Sequence, residues 1–395
     1  MTIIDVDAHA EPAATWLDAF PSLKQRFPER FPDTDPRFRM DSAEMFAYFV
    51  SDDLLRHVPA DRRMAIDRLT TPAMEAMFSP DRPADLGYPG ASQFHQLVDP
   101  ARRVGWLDDQ GIDVQCIISG LGYTLARAIS DPALGQAALE AVNTWMSDAV
   151  AGHRDRLLPV TNLRFEDLEW TIGEMTRMRE RGSRTFLISA EPVGDIPPHH
   201  PDFDRLWSAA EDLGMVAHVH VGMSPASYHP GWANTDDPAL IRLISILHPH
   251  QTTQVFLNAM VFGGVFERHP RLTVLISELG VDWLPGTVAK MDTMAEPGVS
   301  PLILGEYKLP LKPSEYVRRN VRISPLPTPK ESPLPLFDSL PEVAVFSSDY
   351  PHFEGSAGPI EHYEKELAAI DPAVRDAFLG DNIAGCFARM GDPIL

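Results

Sequence analysis

Cysteine is nearly missing: Cys116 and Cys386 are the only two in 395 residues. That is too few for a disulfide framework, and their spacing and neighbours match no thiolate zinc site, so a reduced, cytoplasmic protein is expected. Positive charge is also short. Against 56 Asp and Glu there are 34 Lys and Arg, giving a formal net charge of −22. A polyanion gains nothing from phosphate counterion release, so neither nucleic acid nor an anionic membrane surface is an expected partner. No apolar run approaches ~18 residues, the length an ordinary membrane span needs. The opening Met1-Thr2-Ile3-Ile4-Asp5-Val6-Asp7 has no basic region and no long apolar stretch, and no secretory signal is read there. Gly-x-Ser-x-Gly elbows, Walker loops and His-Glu-x-x-His helices are all missing, and no Gly-rich phosphate turn follows the first strand.

Proline, by contrast, is abundant, with 37 residues, roughly twice the usual share, and long shaped loops are expected. Short apolar, β-branched runs alternate with helical patterns, which favours a parallel sheet built from βα units. Candidate strands run Ile3 to His9, Val114 to Ser119, Leu157 to Asn162, Arg184 to Ser189, Met215 to Val221, Leu272 to Ser277, Val321 to Ser324 and Val343 to Ser348. Candidate helices are Pro100 to Gln110, Pro132 to Arg154, Phe165 to Gly182, Asp202 to Gly214, Pro238 to Phe262, Trp283 to Met294 and Ser314 to Asn320. The expected class is therefore α/β, a single distorted (β/α)8 TIM-like barrel over residues 1–395, rather than a doubly wound sheet. The segment of about residues 11–99 is too long for a βα connection and reads as an inserted helical segment. Its aromatic content, including Trp16, Phe20, Phe27 and Phe31, argues against disorder and for a lid or an oligomer contact. Pro325 to Pro335 reads as a second stiff loop.

Chemistry is sought at strand ends, because barrel active sites sit at the C-terminal mouth. In the first strand, strict alternation would point Asp5, Asp7 and His9 one way and Val6 and Ala8 towards the outer helices. The fifth strand carries His218 and His220 on one face. Two imidazoles in an apolar strand are costly to bury unless each finds a partner, and a metal is the strongest one available. His220, nearer the C-terminal end, is the better ligand, with His218 beneath it. The last strand runs straight into Asp349. Alone, that residue would read as a turn cap. Three strand ends together make a joint case for a mixed N/O site formed by Asp7, His9, His220 and Asp349, suited to zinc, manganese or iron. His199-His200 and His248-Pro249-His250 read as solvent-exposed pairs. Arg164 could hold a substrate carboxylate or serve the surface, while Tyr228, His229 and Trp232 could line the pocket.

The Asp-x-Asp-x-His opening, the His-x-Gly after the fifth strand, and the run Phe266-Glu267-Arg268-His269-Pro270-Arg271-Leu272 followed by Ile276-Ser277-Glu278 form a pattern. With the close Ser348-Asp349-Tyr350-Pro351-His352, it resembles the amidohydrolase superfamily, in particular the group that includes aminocarboxymuconate semialdehyde decarboxylase. The resemblance implies a distorted barrel with one catalytic divalent metal, often zinc, at the mouth, and a homodimer. Two departures stand out. Asp7 replaces the first histidine of the family's His-x-His, a harder ligand that also admits manganese or magnesium. Glu278-Leu279-Gly280 occupies the place where decarboxylases of the group carry a histidine after the sixth strand.

The expected function is a metal-dependent hydrolase that uses an activated water to cleave a C–N, C–O or C–C bond of a small carbonyl-containing or carboxylated substrate. Asp349 would take the water's proton, with Glu278 as a second acid or base. His352 is read as bracing its loop rather than touching substrate. Non-oxidative decarboxylation is the alternative, and a barrel that binds a ligand without turnover is the third reading.

Overall fold

The computed structural model describes residues 2–10, 12, 16–26, 97, 99–224, 229–234, 240, 247–303, 305–326, 331–352 and 358–394. Seven parallel strands follow chain order without a crossover: β1 Ile4–His9, β2 Val114–Ile118, β3 Leu157–Thr161, β4 Thr185–Leu187, β5 Val216–His220, β6 Val274–Ser277 and β7 Val321–Ile323. The expected eighth strand is real but irregular. A 3-10 turn, Pro341–Val343, opens it, and extended chain then joins the two edges of the sheet. The Val345 amide donates to Ile323 O on one side; on the other, Val6 N donates to Phe346 O, Asp349 N to Asp7 O and His9 N to Tyr350 O. The ring thereby closes as an α/β barrel.

Helices cover the outside, each fixed by local chemistry. They are α1 Pro100–Gln110, α2 Gly120–Ala128, α3 Pro132–Ala149, α4 Leu168–Glu180, α5 Asp204–Leu213, α6 Gln251–Phe262, α7 Trp283–Ala295 and α8 Pro313–Asn320. Proline at the first position starts α1 and α3, Asp131 caps α3 by accepting from Leu134 N, and left-handed Gly111 ends α1. α2, which contributes Tyr123 to the mouth, was not expected. Of the expected helix Pro238 to Phe262, the part from Gln251 is present and residues 241–246 lie outside the described ones. The 11–99 insertion also lies outside them, apart from Leu97 and short pieces that include the turns Trp16–Ala19 and Pro21–Lys24.

The outward strand residues, such as Ile117, Phe186, Ala217 and Ile276, pack under the helices. The inward set, including Ile4, Val6, Val114, Leu158, Val160, Leu187 and Leu275, packs with Ile383, Cys386, Phe387 and Met390 of the last helix, α9 Asn382–Arg389. That helix lies across the N-terminal end of the strands. Arg322 donates to Asn382 O, Arg389 to Thr273 Oγ1, and a Cβ on Gly380, just before α9, would sit 1.8 Å from Thr2 O.

One expectation about β1 is corrected. Its pairing with β2 slips between Asp5 and Ala8, where three steps on β1 oppose two on β2. Such a bulge reverses which residues face inward. Val6 therefore joins the interior, while Asp5 turns outward to accept from Gln115 Nε2 at 2.7 Å and from Ser348 N and Oγ at 2.9 and 2.6 Å. Asp7 and His9, past the bulge, point into the mouth.

Candidate active site

Four strand ends deliver the polar residues of the mouth. Asp7 and His9 come from β1, His220 from the last position of β5, Glu278 from the residue after β6, and Asp349 from the closing segment. All five are buried, Glu278 being the most exposed at 6%. Glu278 and Asp349 both adopt left-handed backbone, with φ of 58° and 52°. Non-glycine residues rarely accept that conformation, and it concentrates at functional sites where surrounding contacts enforce it. For Asp349 the enforcing contacts are the amide bond to Asp7 O and the clamp of Ser348 on Asp5. The same layer continues outward, since Arg103 donates to Gln115 Oε1 at 2.9 Å and to His9 O at 2.6 Å.

His9 Nε2 lies 3.5 Å from Asp7 Oδ1, 3.3 Å from Glu278 Oε1 and 3.4 Å from Asp349 Oδ1. His220 Nε2 lies 3.4 Å from Asp7 Oδ2 and 3.4 Å from Glu278 Oε2. Glu278 thus meets the imidazoles of His9 and His220. Neither oxygen of Asp7, nor His220 Nε2, has a hydrogen-bond partner. Burial pushes His9 down to about 4, so it stays neutral with a lone pair available. At His220 burial pulls the same way, but the carboxylates of Glu278 and Asp7 overcome it and hold a proton there well above the usual imidazole range. Conversely, His220 keeps Glu278 well below the usual carboxylate range despite its burial. A proton between two carboxylates occupies the electrostatic position of a cation. The donor atoms of Asp7, His9, His220 and Glu278 lie within 4.8 Å of one another, an arrangement able to hold a metal ion.

His218 sits below as expected: its Nε2 is 2.8 Å from Ser277 Oγ, and burial lowers it to about 3. His352, for which the sequence favours bracing its loop over touching substrate, lies against the cluster. Its ring stacks on His9 at 3.7 Å, with Nδ1 2.9 Å from Asp349 Oδ1 and 3.6 Å from Glu278 Oε1. Adjacency to Asp349 in the chain was the available signal. Tyr123, whose ring centre is 5.9 Å from that of His220, was missed. Arg164 does not serve the mouth, for its guanidinium is buried against Ile129 O and Glu166. His200 and the His248–His250 pair stand apart from the cluster, His250 stacking on Trp283. Trp232 is 62% exposed, and Tyr228 lies outside the described residues.

A closed parallel barrel with a buried carboxylate–imidazole cluster at its C-terminal mouth defines an enzyme-type architecture. The amidohydrolase family model matches residues 109–387, and the chain belongs to that family, as a hydrolase or a carboxy-lyase. Solved structures agree on the fold. An amidohydrolase from Mycobacterium avium subsp. paratuberculosis K-10 is 19% identical, with TM-score 0.66 over 98% of this chain and 99% of that one. The 5-carboxyvanillate decarboxylase of Sphingomonas paucimobilis is 20% identical, with TM-score 0.62 over 98% and 99%. A dihydroxybenzoic acid decarboxylase from Polaromonas sp. JS666, bound to manganese and 2-nitroresorcinol, is 16% identical, with TM-score 0.61 over 98% and 97%. Among the described residues no helix is long and apolar enough to cross a membrane.

Proposed function

We propose that this protein is a metal-dependent hydrolase that cleaves a C–N, C–O or C–C bond of a small carbonyl-containing or carboxylated substrate with an activated water. The observation that carries this reading is the burial of three carboxylates, Asp7, Glu278 and Asp349, among imidazoles, with both Asp7 oxygens lacking any hydrogen-bond donor. Each buried ion costs several kcal/mol unless it is compensated, and the donor set of oxygens and imidazole nitrogens suits a divalent cation. Asp7, His9 and His220 would hold it together with Glu278, while Asp349, expected in the set from the sequence, groups instead with His9, Glu278 and His352. When bound, such an ion lowers the pKa of a coordinated water to roughly 7 and polarises a substrate carbonyl.

Asp349 takes the proton of the attacking water. His352, 2.9 Å away and partly exposed, can relay it, and the leaving group takes it up. Glu278, which His220 keeps ionised, serves as the second base. Zinc is the first expectation; manganese, bound in the dihydroxybenzoic acid decarboxylase, is favoured next by the number of carboxylates, ahead of iron and magnesium. A cytoplasmic location and a homodimer, with the 11–99 insertion as lid or contact, complete the proposal.

A second reading, non-oxidative decarboxylation of a carboxylated aromatic or semialdehyde, is favoured by the relatives that decarboxylate 5-carboxyvanillate and dihydroxybenzoic acid. Glu278, where the family resemblance implies a histidine in decarboxylases, weighs against it, since an added anion opposes a carboxylate substrate. The test is metal analysis of protein purified without chelator, followed by assay on candidate substrates in oxygen-18 water. Bound metal with oxygen-18 in the organic product supports hydrolysis. Carbon dioxide release with no oxygen-18 in the organic product selects decarboxylation, and metal-free protein with full activity removes both readings.

A further inference from the structure

The ladder between β1 and β2 ends where His9 sits. His9 pairs with Ile118, the last residue of β2, and beyond it the chain turns into α2. Other parts of the molecule take the ladder's place. His9 N donates to Tyr350 O at 2.7 Å, and Arg103 Nη2, reaching in from α1, donates to His9 O at 2.6 Å. The backbone of His9 is thus held at both polar atoms, one by the closing segment and one by an outer helix.

Arg103 is buried at 0% exposure, and burying a guanidinium costs several kcal/mol unless its donors and its charge are met. Burial lowers it only to about 10, so it stays charged at neutral pH. Nη1 donates to Gln115 Oε1 at 2.9 Å, Gln115 Nε2 donates to Asp5 Oδ2 at 2.7 Å, and Asp5 accepts from Ser348 N and Oγ. The Gln115 amide therefore has a cation at its oxygen and an anion at its nitrogen, which fixes its orientation. The guanidinium carbon also lies 4.7 Å over the ring of Tyr350, on which Trp106 stacks at 3.7 Å. Only a planar fork of donors can meet two acceptors and a ring face together.

Two routes lead from this one side chain to the mouth. The first goes directly to His9, and the second runs through Gln115, Asp5 and Ser348 to Asp349. His9 Nε2 and Asp349 Oδ1 lie 3.4 Å apart but come from opposite ends of the chain, so their separation depends on how β1 and the closing segment are fastened together.

We propose that Arg103 is a positioning residue, which sets the placement of His9 against Asp349 by binding the backbone of the first and the support of the second. It does so from behind the strand, without touching substrate. The inference rests on the hydrolase reading where turnover is measured, and on geometry alone otherwise.

The experiment compares full-length Arg103→Lys and Arg103→Met with wild type and with Phe387→Ala, which is destabilised at the far end of the barrel. Circular dichroism selects folded preparations. Side-chain NMR on protein carrying isotope-labelled histidine follows the His9 ring, assigned from the signals lost in His9→Gln. Those signals should shift in both Arg103 variants, more in Arg103→Met, while His250 and His269, outside the cluster, hold. Phe387→Ala should leave His9 in place. With the substrate found in oxygen-18 water, kcat should fall roughly 10²-fold in Arg103→Met with KM little changed. The loss should be smaller in Arg103→Lys, which keeps the charge and one acceptor. Unmoved His9 signals in the folded Arg103 variants overturn the proposal, with or without a substrate. Equal shifts in all histidines, or the same kcat loss in Phe387→Ala, overturn it as well, because general loosening then suffices. If nothing is turned over, the hydrolase reading falls and the His9 signals alone decide for Arg103.

Discussion

At the N-terminal end of the barrel, Ile4, Val6, Leu158 and Leu275 pack in one buried apolar cluster with Phe387 of α9 and Met390 at its end. At the C-terminal end, some residues further along the same strands, Asp7, His9, His220 and Glu278 crowd three kinds of polar donor into equally buried space. One end is built from contacts that lower the free energy of the fold. The other holds groups that raise it, two of them on strained backbone. Mutations at the two ends should therefore separate stability from turnover. The largest expected effect is Asp349→Asn: if Asp349 takes the water's proton, turnover should fall by about 10²–10⁴-fold while the melting temperature holds or rises. Activity within tenfold of wild type would remove Asp349 from the chemistry.

Phe387→Ala should do the reverse. Truncating a buried phenylalanine costs about 3–5 kcal/mol, seen as a lower denaturant midpoint, while turnover per folded molecule stays near wild type. A matching loss of turnover would mean that the plug controls the mouth, and the contrast between the two ends would fail.

The sequence made these ends unequally legible. The mouth announced itself because acidic and imidazole side chains interrupt apolar strands, where burial without a partner is costly. Asp7, His9 and His220 were visible on that ground, Asp349 only as a third strand end beside them and Glu278 through the family resemblance, and the strands themselves followed from their β-branched runs. The direction of Asp5 was hidden, since a one-residue slip in pairing belongs to the β1–β2 contact and leaves no trace in either strand alone. His352 was visible as a neighbour of Asp349, but the stacking of its ring on His9 was not, because that contact depends on how the closing segment turns against β1. The plug helix did carry a signal. Ile383, Cys386, Phe387 and Met390 fall at the spacing of one helical face, but what that face covers is decided by strands hundreds of residues away.

Asp5 sits between the two ends and tests whether they are coupled. Asp5→Ala removes the acceptor of Gln115, Ser348 N and Ser348 Oγ together, and should cost about 2–3 kcal/mol for the buried donors left unpaired. Because Ser348 precedes Asp349, turnover should fall as well. A stability loss with unchanged turnover would show that the bond from Asp349 N to Asp7 O positions the carboxylate alone.

Asp167→Ala supplies the smallest effect and the reference for the others. Its carboxylate accepts from the amides of Glu169 and Trp170 at the start of α4, exposed on the outer ring of helices. Losing an N-cap costs typically ~1 kcal/mol. Neither group is deeply buried, so water replaces the lost acceptor and no desolvation penalty adds to that figure. Thermal unfolding should record a small drop, and turnover should be unchanged with every substrate. A loss of turnover here would mean that any destabilisation of the shell reaches the mouth. The Asp5→Ala result would then measure general loosening rather than the hold of Asp5 on Asp349.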